Sequence, residues 1–229
     1  MRSTIAAFLL SVQPVFACDL ALVLAVDVSG SVDPQEYRIQ MDGLAAALRN
    51  GIVAEALIDQ EAKVTLIQWT GSSRQKQTLP WTTMSDFDDV FQFADRIEDS
   101  PRVWRNFSTA IGEALDISRT SFAHVPDCRR RVIDVSGDGP SNEGAEPRTQ
   151  HAFLRSADIT VNGLAIETDD DDLTAYFFEN LIIGEGAFVE TAWGFEDYPR
   201  AILRKLQRET TRAAAELPLR LPTIPASFD

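Results

Sequence analysis

Residues 20–31 read LALVLAVDVSGS, an unbroken apolar run that stops at an acid and two hydroxyls. From Leu20 to Val26 there is no polar alternation, so both faces of this segment are expected to be covered, as in a central parallel strand of an α/β sheet. The run ends at Asp27, and Ser29, Gly30 and Ser31 follow where the chain must turn. In open α/β sheets, ligands bind outside the carboxyl ends of the strands. A carboxylate and two hydroxyls there are oxygen donors without sulfur or imidazole, a set that suits a hard cation such as Mg²⁺. The plainer reading of the same residues is a Ser/Asp-rich turn capping the next helix.

The length, 229 residues, fits one α/β domain of ordinary size plus ends. The balance is acidic, 21 basic against 35 acidic side chains for a net charge of −14. That argues against a nucleic-acid surface, which needs basic patches, and against docking on anionic lipid. An acidic protein that captures a carboxylate needs something positive in between, and a bound divalent cation would supply it. His124, His151, Cys18 and Cys128 are the whole stock of imidazole and thiol, which disfavours a zinc site.

Residues 1–17 are expected to be a secretory signal: Arg2, a short apolar core from Ile5 to Val12, then Val15-Phe16-Ala17 as a cleavage site. An uncleaved N-terminal helix is the other reading. The apolar core is too short to span a bilayer, and no other stretch is long and apolar enough. A domain over 18–214 and a proline-rich tail over 215–229 then follow, and the location is expected to be extracytoplasmic, periplasmic or secreted. Cys18 becomes the first mature residue. Lipid attachment there stays open, although Val-Phe-Ala-Cys is a poor lipoprotein box. The favoured reading is a disulfide to Cys128, permitted outside the cytoplasm. Each cysteine stands just before an apolar strand, so parallel neighbouring strands would bring the two within bridging distance.

Along the chain, Asp33-Pro34 opens a helix whose buried stripe is Tyr37, Met41, Leu44, Ala45 and Leu48, ended by Asn50-Gly51. A looser helix covers 52–60. AKVTLIQWT, residues 62–70, is a strand, and 74–80 a short edge strand broken by Pro80. Trp69 and Trp81 are expected to be packing residues. Ser85-Asp86 starts a helix with Phe87, Val90, Phe91 and Ala94 inward. The polar loop EDSPRVWRNF, 98–107, leads into STAIGEAL, 108–115, a helix start with hydroxyls in its first turn and Ser108 as a cap. CRRRVIDVSGD, 128–138, is a strand ending in Gly137-Asp138. Asp134 inside it is open to two readings, a ligand, less favoured within the strand, or a buried or edge acid paired with a nearby arginine. A helix over 147–156, with Ala152 and Phe153 inward, precedes the strand ITVNGLAI, 159–166. The acidic run ETDDDD, 167–172, lacks the alternating ligands of a calcium loop and is read as a solvated loop feeding the helix at 173–182. A last strand at 187–192 and a helix over 196–212 complete the pattern. Alternating strands and helices imply a doubly wound α/β fold with right-handed crossovers.

Three segments together carry a resemblance. Asp27-x-Ser29-x-Ser31 after the first strand, Thr109 six residues before the leucine of Ala114-Leu115, and Asp138 after the strand at 131–136 resemble the metal-ion-dependent adhesion motif of von Willebrand factor A domains. Ser108 stands where many relatives carry glycine. The resemblance covers about residues 19–212. With the leader and the cysteines, the chain is similar to a bacterial exported family of von Willebrand A-like proteins with no assigned function.

That resemblance implies a mostly parallel sheet with helices on both faces, the first strand lying beside the strand that ends at Asp138. It also implies a Mg²⁺, with Mn²⁺ or Ca²⁺ as alternatives, held by Asp27, Ser29, Ser31, Thr109 and Asp138. A partner protein's Asp or Glu carboxylate would complete the shell, a docking function with no bond broken. The competing class is a metal-dependent hydrolase or phosphatase. Haloacid-dehalogenase-type enzymes place a second Asp two residues after the first, and here Ser29 stands there. Neither a Gly-rich phosphate loop nor a Ser-His-Asp set is present, so no catalytic residue is expected. A scaffold with a vestigial metal site is the third reading.

Overall fold

The computed structural model describes residues 18–168 and 172–216, with side chains to residue 211. The expected signal, the centre of the acidic run and most of the proline-rich tail lie outside the described residues. The elements in order are β1 (Cys18–Asp27), α1 (Pro34–Leu48), α2 (Gly51–Asp59), β2 (Lys63–Trp69), β3 (Gln75–Thr83) and α3 (Phe87–Glu98). Then come α4 (Ile111–Ser121), β4 (Cys128–Gly137), α5 (His151–Ser156), β5 (Ile159–Ile166), α6 (Leu173–Asn180), β6 (Val189–Ala192) and α7 (Tyr198–Glu216). One six-stranded sheet runs β3-β2-β1-β4-β5-β6, with β3 alone antiparallel to its neighbour.

The apolar run of β1 behaves as its lack of alternation requires. Leu20, Leu22, Leu24 and Val26 pack in one core with α1, α2, α3 and α7; Ala21, Val23 and Ala25 pack in a second with α4, α5 and α6. Each fully buried Leu or Val in this strand contributes roughly 1.5–3 kcal/mol of transfer free energy. The strand order reverses between β1 and β4, where β1 has β2 on one side and β4 on the other. That is where a crevice opens in such sheets. At the opposite end of the same pair, Cys18 stands in register with Cys128, and the two form a disulfide.

Local capping explains several boundaries. Asp33 accepts hydrogen bonds from the Gln35 and Glu36 amides, and the Glu36 carboxylate accepts from the Asp33 amide, a closed capping box with Pro34 in the first turn. Asn50-Gly51 does more than end α1: the Asn50 side chain accepts from the Ile52 amide and caps α2. Pro80 does not break β3. The ladder with β2 is irregular beside it, Leu66 facing Leu79 while Val64 faces Thr82, and an edge strand tolerates a missing donor at such a bulge.

Two helices present faces other than those expected, and a third starts later. In α3 the buried residues are Val90, Phe93, Ala94 and Ile97, whereas Phe87 and Phe91 are exposed and pair with each other. A 3₁₀ turn at Pro147–Gln150 precedes α5 and shifts its phase, so Leu154 is buried while Ala152 and Phe153 face outward. α4 begins at Ile111, leaving Ser108 and Thr109 ahead of the helix. Asp134 pairs with Lys205 of α7 and not with an arginine. The acidic run ends as expected: Asp172 caps α6, and Glu167 accepts from the Leu173 and Thr174 amides. The final helix runs to Glu216, two residues into the segment expected as tail.

Candidate metal centre

At the carboxyl end of β1 the backbone must leave the sheet at once, because Val28 donates its amide to Trp69 O and Ser29 already belongs to the turn. Asp27 is fully buried. Its Oδ1 accepts from the Ser29 amide at 2.7 Å, and its Oδ2 has no hydrogen-bond partner among the described residues. The turn brings Ser29 Oγ to 3.1 Å from Ser31 Oγ, and Ser31 Oγ donates to Asp138 Oδ1 at 2.8 Å. Four of the five expected residues are thus joined through two hydroxyls and two carboxylates, across a sequence separation of 107 between Ser31 and Asp138.

The fifth, Thr109, is buried, and its main chain is tied to the loop that follows Asp138. Its amide donates to Asn142 Oδ1 at 2.8 Å, and its carbonyl accepts from the Asn142 and Glu143 amides. On its other side, Ala110 N donates to Thr70 O and Thr70 Oγ1 to Ser108 O, anchoring the segment to the end of β2. The α4 start is capped from a distance, Ile111 N donating to Ser141 Oγ at 3.2 Å. Ser108, the expected cap, has no part in it.

Sequence reasoning did not find Arg102. Its guanidinium donates to Val28 O at 3.0 Å and Ser29 O at 2.6 Å, pinning the turn that carries the serines. Burial and then the neighbouring Arg105 pull its pKa down, while Asp27 pulls it up. No local signal marks a partner 73 or 74 residues away. Asn142 and Ser141 were half legible, since a Gly-Pro-Ser-Asn string after Asp138 reads as a turn, but nothing says whose amides it serves. Gly137 is legible only in three dimensions: a Cβ there would stand 3.1 Å from Asp27 Oδ2, crowding that oxygen.

The residues present fit a divalent cation. Burial, and then the charge of Asp138, push Asp27 up to about 8. Two carboxylates and an unpartnered buried oxygen make a deficit of positive charge that a metal ion would fill. Among the described residues no group of three or more His, Cys, Asp or Glu is arranged to hold a metal ion. This set differs in kind, with two carboxylates and three hydroxyls.

Residues 17–214 match the family described as a protein of unknown function, DUF1194. A comparison with curated proteins found no match. Among solved structures, the fold is similar to the proximal thread matrix protein 1 of the mussel byssus, with a zinc-occupied MIDAS motif (TM-score 0.64, 19% identity, 86% of this chain and 48% of that one). It is also similar to a von Willebrand factor type A protein from Catenulispora acidiphila (0.59, 16%, 86% and 43%). The pilus adhesin SpaC from Lactobacillus rhamnosus GG is a third (0.58, 14%, 88% and 31%). The chain spans about half the length of the first of these and less of the others. These likenesses show the fold, which is like that of von Willebrand factor A domains, and the family match shows the kinship: the chain belongs to the DUF1194 family of proteins of unknown function.

Proposed function

We propose that this domain is an exported, metal-dependent protein-binding module that captures an acidic group of a partner. Asp27, Ser29, Ser31, Thr109 and Asp138 would hold a Mg²⁺, with Mn²⁺ or Ca²⁺ as substitutes, and the bound cation would offer an electrophilic site for a carboxylate. The single observation that carries this reading is the linked set Asp27–Ser29–Ser31–Asp138 with Asp27 Oδ2 buried and unpartnered. In it Arg102 fixes the turn, Ser29 and Ser31 supply neutral oxygens that leave a cation's charge largely uncompensated, and Asp27 and Asp138 supply the negative charge. The mussel protein's zinc-occupied MIDAS motif and the adhesin's likeness support it as precedents on a similar fold. The reading is of a non-enzyme: docking needs no nucleophile and no proton transfer.

The disulfide supports an extracytoplasmic location, since such bonds persist in oxidising compartments. A Cys18 sulfur engaged with Cys128 cannot also carry a lipid thioether. Among the described residues no helix is long and apolar enough to cross a membrane.

Isothermal titration of the purified protein with Mg²⁺ and Mn²⁺ tests the site, alongside Asp27→Ala and Thr109→Ala. Saturable binding is expected in the wild type, abolished in Asp27→Ala and weakened in Thr109→Ala. A folded wild type that binds neither ion, together with a partner pull-down unchanged by EDTA, would refute the reading.

A further inference from the structure

Resting on the metal reading above, we propose that the partner segment is doubly acidic: one carboxylate for the cation, and a second, a few residues away, for a cationic rim formed by Arg74 and Arg105. The Arg74 guanidinium carbon lies 3.8 Å from the centroid of the Phe107 ring. Phe107 in turn accepts the Gly30 amide at 2.8 Å, and Gly30 separates Ser29 from Ser31. The same loop reaches Thr109 two residues later. Arg74, which also donates to Ser72 O at 3.2 Å, is therefore held against the ring of a residue whose main-chain carbonyl is bonded to the serine turn.

Arg105 stands exposed on this loop. It lies close enough to the Arg102 guanidinium for the two charges to oppose each other, while Arg102 is committed to two carbonyls. Neither Arg74 nor Arg105 has a carboxylate within ion-pairing distance among the described residues, although acids outnumber bases 35 to 21. The Glu143 carboxylate lies against the Gly71 backbone and not in an ion pair. Two guanidiniums without a carboxylate partner thus stand on the loops next to the serine turn of a negative molecule.

Charge complementarity selects the occupant. A guanidinium held against a ring loses less freedom when it takes a carboxylate in bidentate fashion, so it suits a planar acid. A long polyanion would bind the rim but meet the net charge of −14 elsewhere. A short acidic peptide segment matches both facts.

The test titrates two kinds of synthetic peptide into the Mg²⁺-loaded full chain. One carries a single Asp between Gly and Ser residues; the others add a second Asp at varied spacing. Wild type, Arg74→Gln, Arg74→Lys and Arg105→Gln are compared, with circular dichroism confirming the fold and heparin as the polyanion control. At one spacing the diacid is expected to bind about fivefold tighter than the monoacid, the scale of a good exposed ion pair. That advantage disappears in Arg74→Gln, survives in part in Arg74→Lys, shrinks in Arg105→Gln and fades in high salt, while monoacid binding stays unchanged. If the monoacid binds in an EDTA-sensitive way and no second Asp improves it, or the advantage survives both glutamine variants, the rim proposal alone falls. Heparin binding that displaces the diacid would also overturn it, in favour of a polysaccharide. If neither peptide binds a chain that titration shows to hold Mg²⁺, the rim proposal falls; if the chain binds no Mg²⁺ and EDTA changes nothing, the metal reading itself falls.

Discussion

Asp27 shows how a residue can be legible as a type and illegible as a state. Its place at the end of an apolar strand marks it as a site acid, but only the fold shows that Oδ2 is buried without a partner and that Asp138 lies beside it. A buried, unpartnered carboxylate costs stability when no cation is near. Asp27→Asn is therefore expected to stabilise the metal-free protein by roughly 1–3 kcal/mol above neutral pH, and to abolish the rise in Tm that Mg²⁺ confers on the wild type. Differential scanning calorimetry with and without Mg²⁺ checks both. A less stable variant that still responds to Mg²⁺ would remove Asp27 from the site. Ser108 and Thr109 show the opposite case: adjacent hydroxyls that read as helix caps stand ahead of α4, because Ser141 from another loop does the capping.

At the scale of the element, α7 is docked by a buried charge cluster. Lys205 is fully buried, pairs with Asp134 of β4, and donates to Glu209 Oε1 at 2.8 Å. Asn162 of β5 donates to the same Glu209 oxygen, and one oxygen of each carboxylate is left without a partner. Burial works to lower the Lys205 pKa, but Asp134 and Glu209 outweigh it and hold the ammonium charged. Asp134 is pushed up to about 7 from an ordinary 3.8, first by burial and then by the Glu209 charge, with Lys205 opposing. A carboxyl whose pKa is raised by folding adds stability that is complete below about pH 4 and lost as the pH rises through about 7. The unfolding free energy is thus expected to fall across that window, and Asp134→Asn to flatten the fall, as urea unfolding at several pH values would show. Asp27 titrates in the same direction, so the difference between the two proteins isolates Asp134. Lys205→Met, which leaves two buried acids without a counter-charge, is expected to cost about 3–5 kcal/mol near neutral pH.

Across the whole molecule, the two ends of the β1–β4 pair have separate tasks. One end carries Asp27 and leads into Asp138; the other is closed by Cys18–Cys128, which joins residues 110 apart in sequence. In the chain-entropy account a loop of that length is worth up to about 4–5 kcal/mol, with measured values often lower. Replacing both cysteines with serine is expected to cost about 2–4 kcal/mol by urea unfolding while leaving Mg²⁺ affinity unchanged. A lost affinity would mean that the bond also sets the register at the far end of the pair. The helices divide by face, α1, α2, α3 and α7 against α4, α5 and α6, and that division follows from the covered faces of β1.

What the chain determines by itself is local and periodic. The apolar run 20–26 is a central strand because nothing in it can face water, Asp33-Pro34 starts a helix because its caps are adjacent, and Asp27, Ser29 and Ser31 share a turn because they are two residues apart. In α3 the expected inward Phe87 and Phe91, two aromatics at helical spacing, instead form their own pair outside the core. The partners of Lys205 beneath α7, of Arg102 on the serine turn, and of Ser141 and Asn142 around Thr109 are not legible, because each acts on a segment more than 29 residues away. Period and capping extend over a turn or two of chain, whereas a buried charge takes its partner from whichever strand or helix the topology sets beside it.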